Sequence, residues 1–395
     1  MKIVGEINGK KVLFLQGPMG TFFRRLGNFF TQHGGTVYTI CFNAGDRLFA
    51  YPENRYSFTG KPSQWHDFIR AFLKKYRIDS IFLFGNCRLY HREAALTAAE
   101  LGVEIFVFEE GYVRPHFITL EKNGVNGDSA IPDDPSFYEK MDKIQPVQGK
   151  NARNRHLEMA AQAALYSVIL KIGRKSFPHY RHHRELSLLK EFGFGACGLY
   201  RKLKYKLTEK HFPALFEGKL KKSYFFVPLQ TRTDFQIKEY SKYEEIEEFI
   251  DEVLLSFSRC SPPGTSLVIK HHPMERGMPT HTDFIKKKAE KYGIHGRVIS
   301  AHDIHLPTCL KNARGTVTIN STVGFSSLFH ETPTKALGKA VYDIEGLTCR
   351  NMSLDRFWKE CRKPDRDLFL KFRNYVISTT QLNGGFYGRF PDFSG

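Results

Sequence analysis

Short apolar runs alternate with amphipathic stretches in two separate parts of this chain, and this alternation places it in the α/β class. Strands that alternate with helices along a chain form doubly wound parallel sheets. In the first part, strands are predicted at 11–15, 36–40, 80–84 and 104–108, and helices at 22–32, 63–76 and 90–101. In the second part, strands are predicted at 224–229, 266–270, 297–300 and 315–319, and helices at 244–257, 282–292 and 321–331.

The 395 residues are too many for one ordinary core and predict two domains. We expect an N-terminal α/β lobe at 1–215 and a C-terminal α/β lobe at 216–360. A helix and tail at 361–395 are expected to pack back on the first lobe. The proline-containing stretch 110–150 is predicted to be irregular, and 354–378 is predicted to be helical.

The chain carries a formal net charge of +18, which favours polyanionic partners such as nucleic acid, anionic lipid or phosphorylated substrates. The segment 151–222 alone holds sixteen Lys or Arg against five Glu and no Asp. This segment is predicted to be helical, and it is either a solvated face or an electrostatic surface for anionic lipid or a charged acceptor. Because no recognisable nucleic-acid module accompanies it, we expect no nucleic-acid partner.

The cysteine pattern and the hydropathy indicate the compartment. Seven cysteines, an odd number without a CxxC pair, argue against a disulfide framework and favour a reducing environment. The N-terminal residues lack the pattern of a secretory signal, and the chain has no apolar run of about 18 residues or more. We therefore expect a cytoplasmic protein.

Ligands of open parallel sheets bind beyond the carboxyl ends of the strands, so the residues that follow each predicted strand are candidates for a site. The glycine loop after the first strand allows a ligand to approach the backbone closely, or is an ordinary turn. Two carboxylates after the fourth strand suit a general acid or base, or form a capping or salt-bridged pair. The candidates in this part are Gln16, Gly17, Gly20, Glu109, Glu110, Gly111, Tyr112 and Arg114.

The strand ends of the second part carry a similar set. Asp234 suits a carboxylate nucleophile or an electrostatic stabiliser, or caps a loop. The His pair suits a phosphate, a carboxylate or a metal, or is structural, and the hydroxyls after the last strand suit an anion or cap a helix. The candidates here are Gln230, Asp234, Gln236, Lys270, His271, His272, Pro273, Asn320, Ser321 and Thr322.

The triplet Asp365-Arg366-Asp367 has the DxD form of many metal-dependent glycosyltransferases. It follows Pro364 and precedes a predicted helix, so we interpret it as acidic enrichment at a helix N-terminus. We expect no metal and no cofactor.

Six segments carry a resemblance to a known family: QGPMGTFFRRLG from Gln16, FEEGYVRPHFITLE from Phe108, VPLQTRTDFQI from Val227, IKHHPMERG from Ile269, TINSTVGFSSL from Thr318 and TPTKALGKAVYDI from Thr332. Through them the sequence resembles the KpsS/LipB family of capsule polysaccharide proteins. The resemblance implies a GT-B-like fold, with two Rossmann-like lobes facing a central cleft. It also implies a retaining β-Kdo transferase that moves the first Kdo from CMP-β-Kdo to a phosphatidylglycerol-type lipid and so starts the capsule linker.

Within this interpretation Asp234 forms a covalent glycosyl intermediate and Glu110 is the general base. The other candidates of the second part bind the donor, and those of the first part lie on the acceptor side. The expected partners are a CMP-sugar, an anionic phospholipid at the inner face of the inner membrane, and other capsule assembly proteins. The family tends toward a DSQ-like triplet where this chain has Asp234-Phe235-Gln236, so Asp and Gln are kept.

Two alternatives stay open. The EEG, HP and Ser/Thr pattern is also similar to that of bacterial CMP-sialic acid transferases, which favours a CMP-sugar donor without fixing the sugar. The first alternative is therefore another CMP-sugar transferase, such as a sialyltransferase. The second is a non-catalytic component of capsule export that keeps a sugar-nucleotide fold.

Overall fold

The computed structural model describes residues 7–142, 149–152, 155–181 and 188–393. The chain divides into two compact units. The first contains the described residues up to 130, those between 149 and 188, and those from 374 onward; the second contains 131–142 and 189–373. This division differs from the predicted boundaries at 215 and 360, because 189–215 and 361–373 belong to the second unit.

The strands, in chain order, are β1 (Lys11–Phe14), β2 (Thr36–Cys41), β3 (Arg55–Ser57), β4 (Ser80–Phe84), β5 (Glu104–Glu110), β6 (Phe117–Lys122), β7 (Tyr224–Pro228), β8 (Ser266–Lys270), β9 (Val298–Ala301), β10 (Gly315–Thr318), β11 (Thr334–Ala336) and β12 (Gln381–Asn383). The α-helices are α1 (Phe22–Gln32), α2 (Ala44–Phe49), α3 (Trp65–Tyr76), α4 (Leu89–Glu100), α5 (Pro135–Glu139), α6 (His156–Ile172), α7 (Leu188–Thr208), α8 (Phe212–Glu217), α9 (Phe235–Tyr240), α10 (Ile246–Cys260), α11 (Thr282–Lys291), α12 (Leu306–Asn312), α13 (Val323–Phe329), α14 (Leu354–Glu360) and α15 (Arg366–Thr380).

Each unit is built on one sheet. The first sheet has the order β12-β6-β5-β4-β1-β2-β3, in which β1 to β5 are parallel and β6 and β12 are antiparallel to their neighbours. The second sheet has the order β11-β10-β7-β8-β9 and is parallel throughout. The predicted α/β class with two Rossmann-like lobes is therefore confirmed.

The continuous apolar runs have a simple cause, since both faces of each sheet are covered. In β1, Leu13 and Phe14 point to opposite faces and enter two different hydrophobic clusters. In β7, Phe225 and Phe226 do the same in the second unit. Burial on both sides removes the polar alternation of a half-exposed strand.

Two elements differ from the predictions. The stretch predicted to be irregular contains β6, and β6 pairs with β5 so that β5 continues through Glu110 rather than ending at 108. The predicted helix at 354–378 is two helices, α14 and α15. The break contains Pro364, which has no N–H to donate and disfavours helical geometry in the residue before it. No α-helix within the described ranges is long and apolar enough to cross a membrane.

Candidate functional site

The carboxyl ends of β7, β8, β9 and β10 meet at one edge of the second sheet, because these four strands are parallel neighbours. This edge carries the predicted residues that follow β7, β8 and β10. The structure therefore collects three of the candidate segments in one unit, beside residues that follow β9.

Asp234 is the N-cap of α9. Its Oδ1 accepts a hydrogen bond from the backbone N of Gln236 at 3.0 Å, and its Oδ2 accepts one from Nε2 of Gln230 at 3.0 Å. Gln230 also donates to Oδ1 of Asn320 at 2.9 Å, and Nδ2 of Asn320 donates to the carbonyl oxygen of Gln236 at 2.8 Å. Four predicted residues thus form one network across the ends of β7 and β10, and this network fixes the orientation of the Asp234 carboxylate.

The structure shows Asp234 as a cap, which the sequence left open as the alternative to a chemical role. The two roles are compatible, since each carboxylate oxygen can accept about two hydrogen bonds. Asp234 is also partly exposed.

His271 is buried, with 6% of its surface exposed, and its Nε2 lies 2.9 Å from Oγ of Ser300. Its ring stacks on that of His302, with centroids 4.4 Å apart, and the other face of His302 stacks on Tyr205 at 4.0 Å. Burial, followed by the neighbouring His302, lowers the pKa of His271 to about 3. His271 is therefore neutral, so it would meet a phosphate or a carboxylate as a neutral imidazole rather than as a cation.

The neighbours of His271 have different environments. Lys270 is buried, its Nζ lies 3.3 Å from the carbonyl oxygen of His271, and burial lowers its pKa. His272 is half-buried, and its Nδ1 accepts from the backbone N of Met274 at 3.2 Å. With Pro273 and Arg276, His272 lines a cavity at this sheet edge. His271 lines the same cavity, but His272 is the more exposed member of the pair.

The hydroxyl residues after β10 begin a helix, as predicted. Thr322 is the N-cap of α13 and makes no side-chain capping bond, whereas Oγ of Ser321 accepts from the backbone N of Val323 at 3.2 Å. The hydroxyl of Tyr342 donates to the carbonyl oxygen of Ser321 at 2.6 Å and holds this turn. Thr322, which is half-buried, is the hydroxyl that the cap does not use.

In the first unit, Gln16 follows β1 and occupies the centre of a polar network. Its Nε2 lies 3.0 Å from Oδ1 of Asp46, 3.1 Å from the hydroxyl of Tyr166 and 3.1 Å from that of Tyr180. Its Oε1 accepts from Nη1 of Arg88 at 2.9 Å. Burial raises the pKa of Asp46 and lowers that of Arg88, so the network places two ionisable groups in a poorly solvated site.

The next acceptor-side candidates are two carboxylates at the end of β5 and two glycines after β1. Glu109 and Glu110 are half-buried at the end of β5, and Oε1 of Glu109 accepts from the backbone N of Glu110 at 2.9 Å. Burial, followed by the charge of Glu110, raises the pKa of Tyr387 to about 12, which indicates that this tyrosine lies near Glu110. Gly17 packs against the ring of Phe23, and a Cβ on Gly20 would overlap the side-chain oxygen of Gln162.

Gly111 and Tyr112 have structural explanations. A Cβ on Gly111 would overlap the carbonyl oxygen of Phe117 in β6. Tyr112 is 2% exposed, and its hydroxyl donates to Oε1 of Glu121 at 2.7 Å. Arg114 is exposed, and its Nε donates to the carbonyl oxygen of Gly111 at 3.2 Å. Of these three, only Arg114 is accessible to a ligand.

The DxD triplet is a helix N-terminus, as interpreted from the sequence. Oδ1 of Asp365 accepts from the backbone N of Leu368 at 2.9 Å, in the first turn of α15. Within the part of the chain that the structure describes, no three His, Cys, Asp or Glu side chains are grouped to hold a metal ion. The expectation that the protein needs no metal stays a prediction.

Comparison with known proteins decides the family. A family model described as capsule polysaccharide biosynthesis protein matches residues 79–387. The capsule polysaccharide export protein KpsS of Escherichia coli is 38% identical, covering 96% of this chain and 98% of that protein. This chain belongs to the capsule polysaccharide biosynthesis family. The resemblance to KpsS and LipB is confirmed, since the capsule polysaccharide modification protein LipB of Neisseria meningitidis serogroup A is 35% identical, covering 98% of this chain and 94% of that protein.

A solved structure gives a more distant match to this capsule biosynthesis protein. It is the β-Kdo 2,7 transferase KpsC of Thermosulfurimonas dismutans, with 13% identity and a TM-score of 0.44. The match covers 92% of this chain and 89% of that chain. No residue role follows from a likeness at this level.

Two arginines at this edge of the second sheet were not predicted from the sequence. Arg232 lies in the loop that holds Asp234, and its backbone N donates to Oε1 of the buried Glu275 at 2.5 Å. Arg276 pairs with Asp303 at 3.0 Å and lines the cavity beside His272. Their position in the sequence could have identified them, because Arg232 and Arg276 each stand within four residues of a candidate that follows a strand.

The neutral state of His271 predicts a pH dependence of stability in this capsule biosynthesis protein. Its pKa is depressed from the usual 6.5 to about 3 in the folded state, so the folded protein binds fewer protons than the unfolded chain. The stability is therefore full above about 6.5 and falls as the pH drops toward 3, at no more than about 1.4 kcal/mol per pH unit for this group. His271→Gln should make the acid decline of the melting temperature shallower.

The matched control is His295→Gln, because His295 is exposed in the same unit. This variant should keep the wild-type slope. An acid slope of His271→Gln equal to that of the wild type would contradict the neutral assignment.

Proposed function

We propose that this capsule biosynthesis protein is a retaining β-Kdo transferase, which moves Kdo from CMP-β-Kdo to a phosphatidylglycerol-type lipid acceptor at the inner face of the inner membrane. The observation that carries the proposal is the network around Asp234. A partly exposed carboxylate is fixed by Gln230 and by the backbone of Gln236 at the strand end where ligands of parallel sheets bind. The family membership, over almost the whole chain, supplies the capsule context.

The donor side of the proposal uses residues at the same sheet edge. Kdo carries a carboxylate on its anomeric carbon, and CMP brings one phosphodiester. The guanidinium of Arg276 and the accessible ring of His272 would bind these anionic groups, and the hydroxyl of Thr322 would donate to an oxygen of the phosphate. A single phosphodiester needs less charge neutralisation than a diphosphate, which supports a donor site without a metal.

The proposed chemistry consists of two displacements. A carboxylate oxygen of Asp234 attacks the anomeric carbon of Kdo, and CMP departs with the electron pair of the broken C–O bond. Glu110 then takes the proton of the acceptor hydroxyl, whose oxygen attacks the same carbon and releases the Asp234 carboxylate. Each displacement inverts the anomeric configuration, so the product retains it.

The remaining candidates are proposed for the acceptor side. Gln16 follows β1, Glu109 lies at the end of β5 and Arg114 lies in the loop after β5, so each offers polar groups there. Gly17 and Gly20 shape the loop after β1. Gly111 and Tyr112 would act through the fold of that region rather than by contact with the acceptor.

The donor assay that tests the proposal measures CMP release from CMP-Kdo and from CMP-sialic acid, with and without phosphatidylglycerol. We expect release from CMP-Kdo that increases when the lipid is present. Turnover of CMP-sialic acid alone would instead identify another CMP-sugar transferase. Turnover of neither donor would favour a non-catalytic role in export, as the name of the Escherichia coli capsule polysaccharide export protein suggests.

A further inference from the structure

Helix α7 of the second unit has two contrasting faces. Its inner face packs on the loop that follows β8: Nη1 of Arg201 donates to the carbonyl oxygens of Arg276 at 3.1 Å and Met278 at 2.5 Å. One turn later, the ring of Tyr205 stacks on His302. Because Arg201 and Tyr205 are four residues apart, they lie on the same side of the helix and leave the opposite side to solvent.

The opposite face exposes four large apolar side chains. Leu199, Tyr200, Leu203 and Leu207 are 64%, 66%, 59% and 70% exposed. Leu199, Leu203 and Leu207 follow one another at intervals of four residues, and Tyr200 lies three residues before Leu203, so the four form a stripe about 12 Å long. Single exposed leucines are common on protein surfaces, but an aligned apolar stripe marks an interaction surface.

Lysines border this stripe on both sides. Lys202 and Lys206 lie along one border and Lys204 along the other, and all three are exposed. Residues 193–208 contain no Asp or Glu. A cationic border around an apolar stripe complements a bilayer with anionic headgroups, where leucines enter the acyl boundary and lysine side chains reach back to the phosphates. A second copy of the same face would bring lysines against lysines, which disfavours a symmetric dimer here.

We propose that the outer face of α7, formed by Leu199, Tyr200, Leu203, Leu207 and the bordering lysines, docks on an anionic phospholipid surface by inserting its leucines. The inference extends the proposed function, since an enzyme with a lipid acceptor must reach the bilayer. It assigns that contact to one helix face and to apolar insertion, beyond the general attraction of the basic segment 151–222. Residues 153–154 and 182–187 of that segment lie outside the described residues.

The experiment is co-sedimentation of the full-length protein with phosphatidylcholine vesicles that contain phosphatidylglycerol, and with pure phosphatidylcholine vesicles. The wild type should bind the anionic vesicles more strongly. Leu203→Glu with Leu207→Glu should lower the partition coefficient at least about tenfold. The matched control is Leu89→Glu with Leu96→Glu on α4, because both of those leucines are 58% exposed. This control should bind as the wild type does.

Tyr200→Trp measures insertion without disturbing the stripe. The two natural tryptophans, Trp65 and Trp358, are fully buried, so a change in emission on adding vesicles would come from position 200. A blue shift with anionic vesicles is expected. The proposal is overturned by an unshifted emission, by wild-type binding of the Leu203/Leu207 variant, or by an equal loss in the control. It is also overturned if that variant instead abolishes a dimer of the vesicle-free protein. No donor is present, so a failure of the transferase assignment would leave these results unaffected.

Discussion

Asp234→Asn is expected to lower Kdo transfer by at least about a thousandfold, because an amide cannot form the glycosyl ester that the proposed double displacement requires. The fold should be kept, since Asn and Asp are equally good N-caps and the side-chain oxygen can still accept from the backbone N of Gln236. The bond from Nε2 of Gln230 is lost, but Gln230 still donates to Asn320. The measurement is the initial rate of product formation from CMP-Kdo, together with the melting temperature of the variant.

A matched control is available in the same unit. Asp134 also caps a helix, where its Oδ1 accepts from the backbone N of Ser136 at 2.9 Å. Asp134→Asn should keep full activity. If Asp234→Asn were as active as the wild type at an unchanged melting temperature, Asp234 would be a structural cap alone.

Glu110→Gln is expected to slow transfer by about a hundredfold or more, because the acceptor hydroxyl would lose its general base. The first displacement does not use Glu110, so a Kdo adduct should accumulate on Asp234. Intact-protein mass spectrometry after mixing with CMP-Kdo would detect the added mass, and peptide mapping would locate it.

Glu109→Gln separates the two neighbouring carboxylates. Glu109 accepts from the backbone N of Glu110, a bond that the amide oxygen of Gln can also accept. We expect this variant to keep most of the activity. A larger loss for Glu109→Gln than for Glu110→Gln would exchange the two roles, and an adduct on a residue other than Asp234 would remove the proposed nucleophile.

The parallel strands could be predicted from the sequence because burial on both faces produces continuous apolar runs such as those of β4 and β8. Strand β12 could not be predicted in the same way. Its three residues pair with β6, more than 250 positions earlier in the chain, so the information that makes it a strand is not local.

The candidate sites show the same limit. Gln230, Asp234 and Asn320 were found because each stands at or near a strand end, where polar residues are conspicuous. Their mutual hydrogen bonds depend on β10 lying beside β7, an order that the sequence does not state.

Charge states were the least predictable feature of the sites. The sequence placed His271 in a His pair that suits a phosphate, a carboxylate or a metal, or is structural, without fixing its charge. The stacked His302 and the burial that keep it neutral come from tertiary packing. Arg88 was missed for a related reason, since its significance depends on Gln16 and Asp46, which follow other strands.

The anomeric configuration of the product tests the central proposal most directly. The purified wild type would be incubated with CMP-β-Kdo and phosphatidylglycerol, and the glycolipid product would be analysed by nuclear magnetic resonance. The proposal predicts one Kdo in β linkage on the lipid. An α-linked product, or a lipid that stays unmodified while the folded protein is intact, would contradict it.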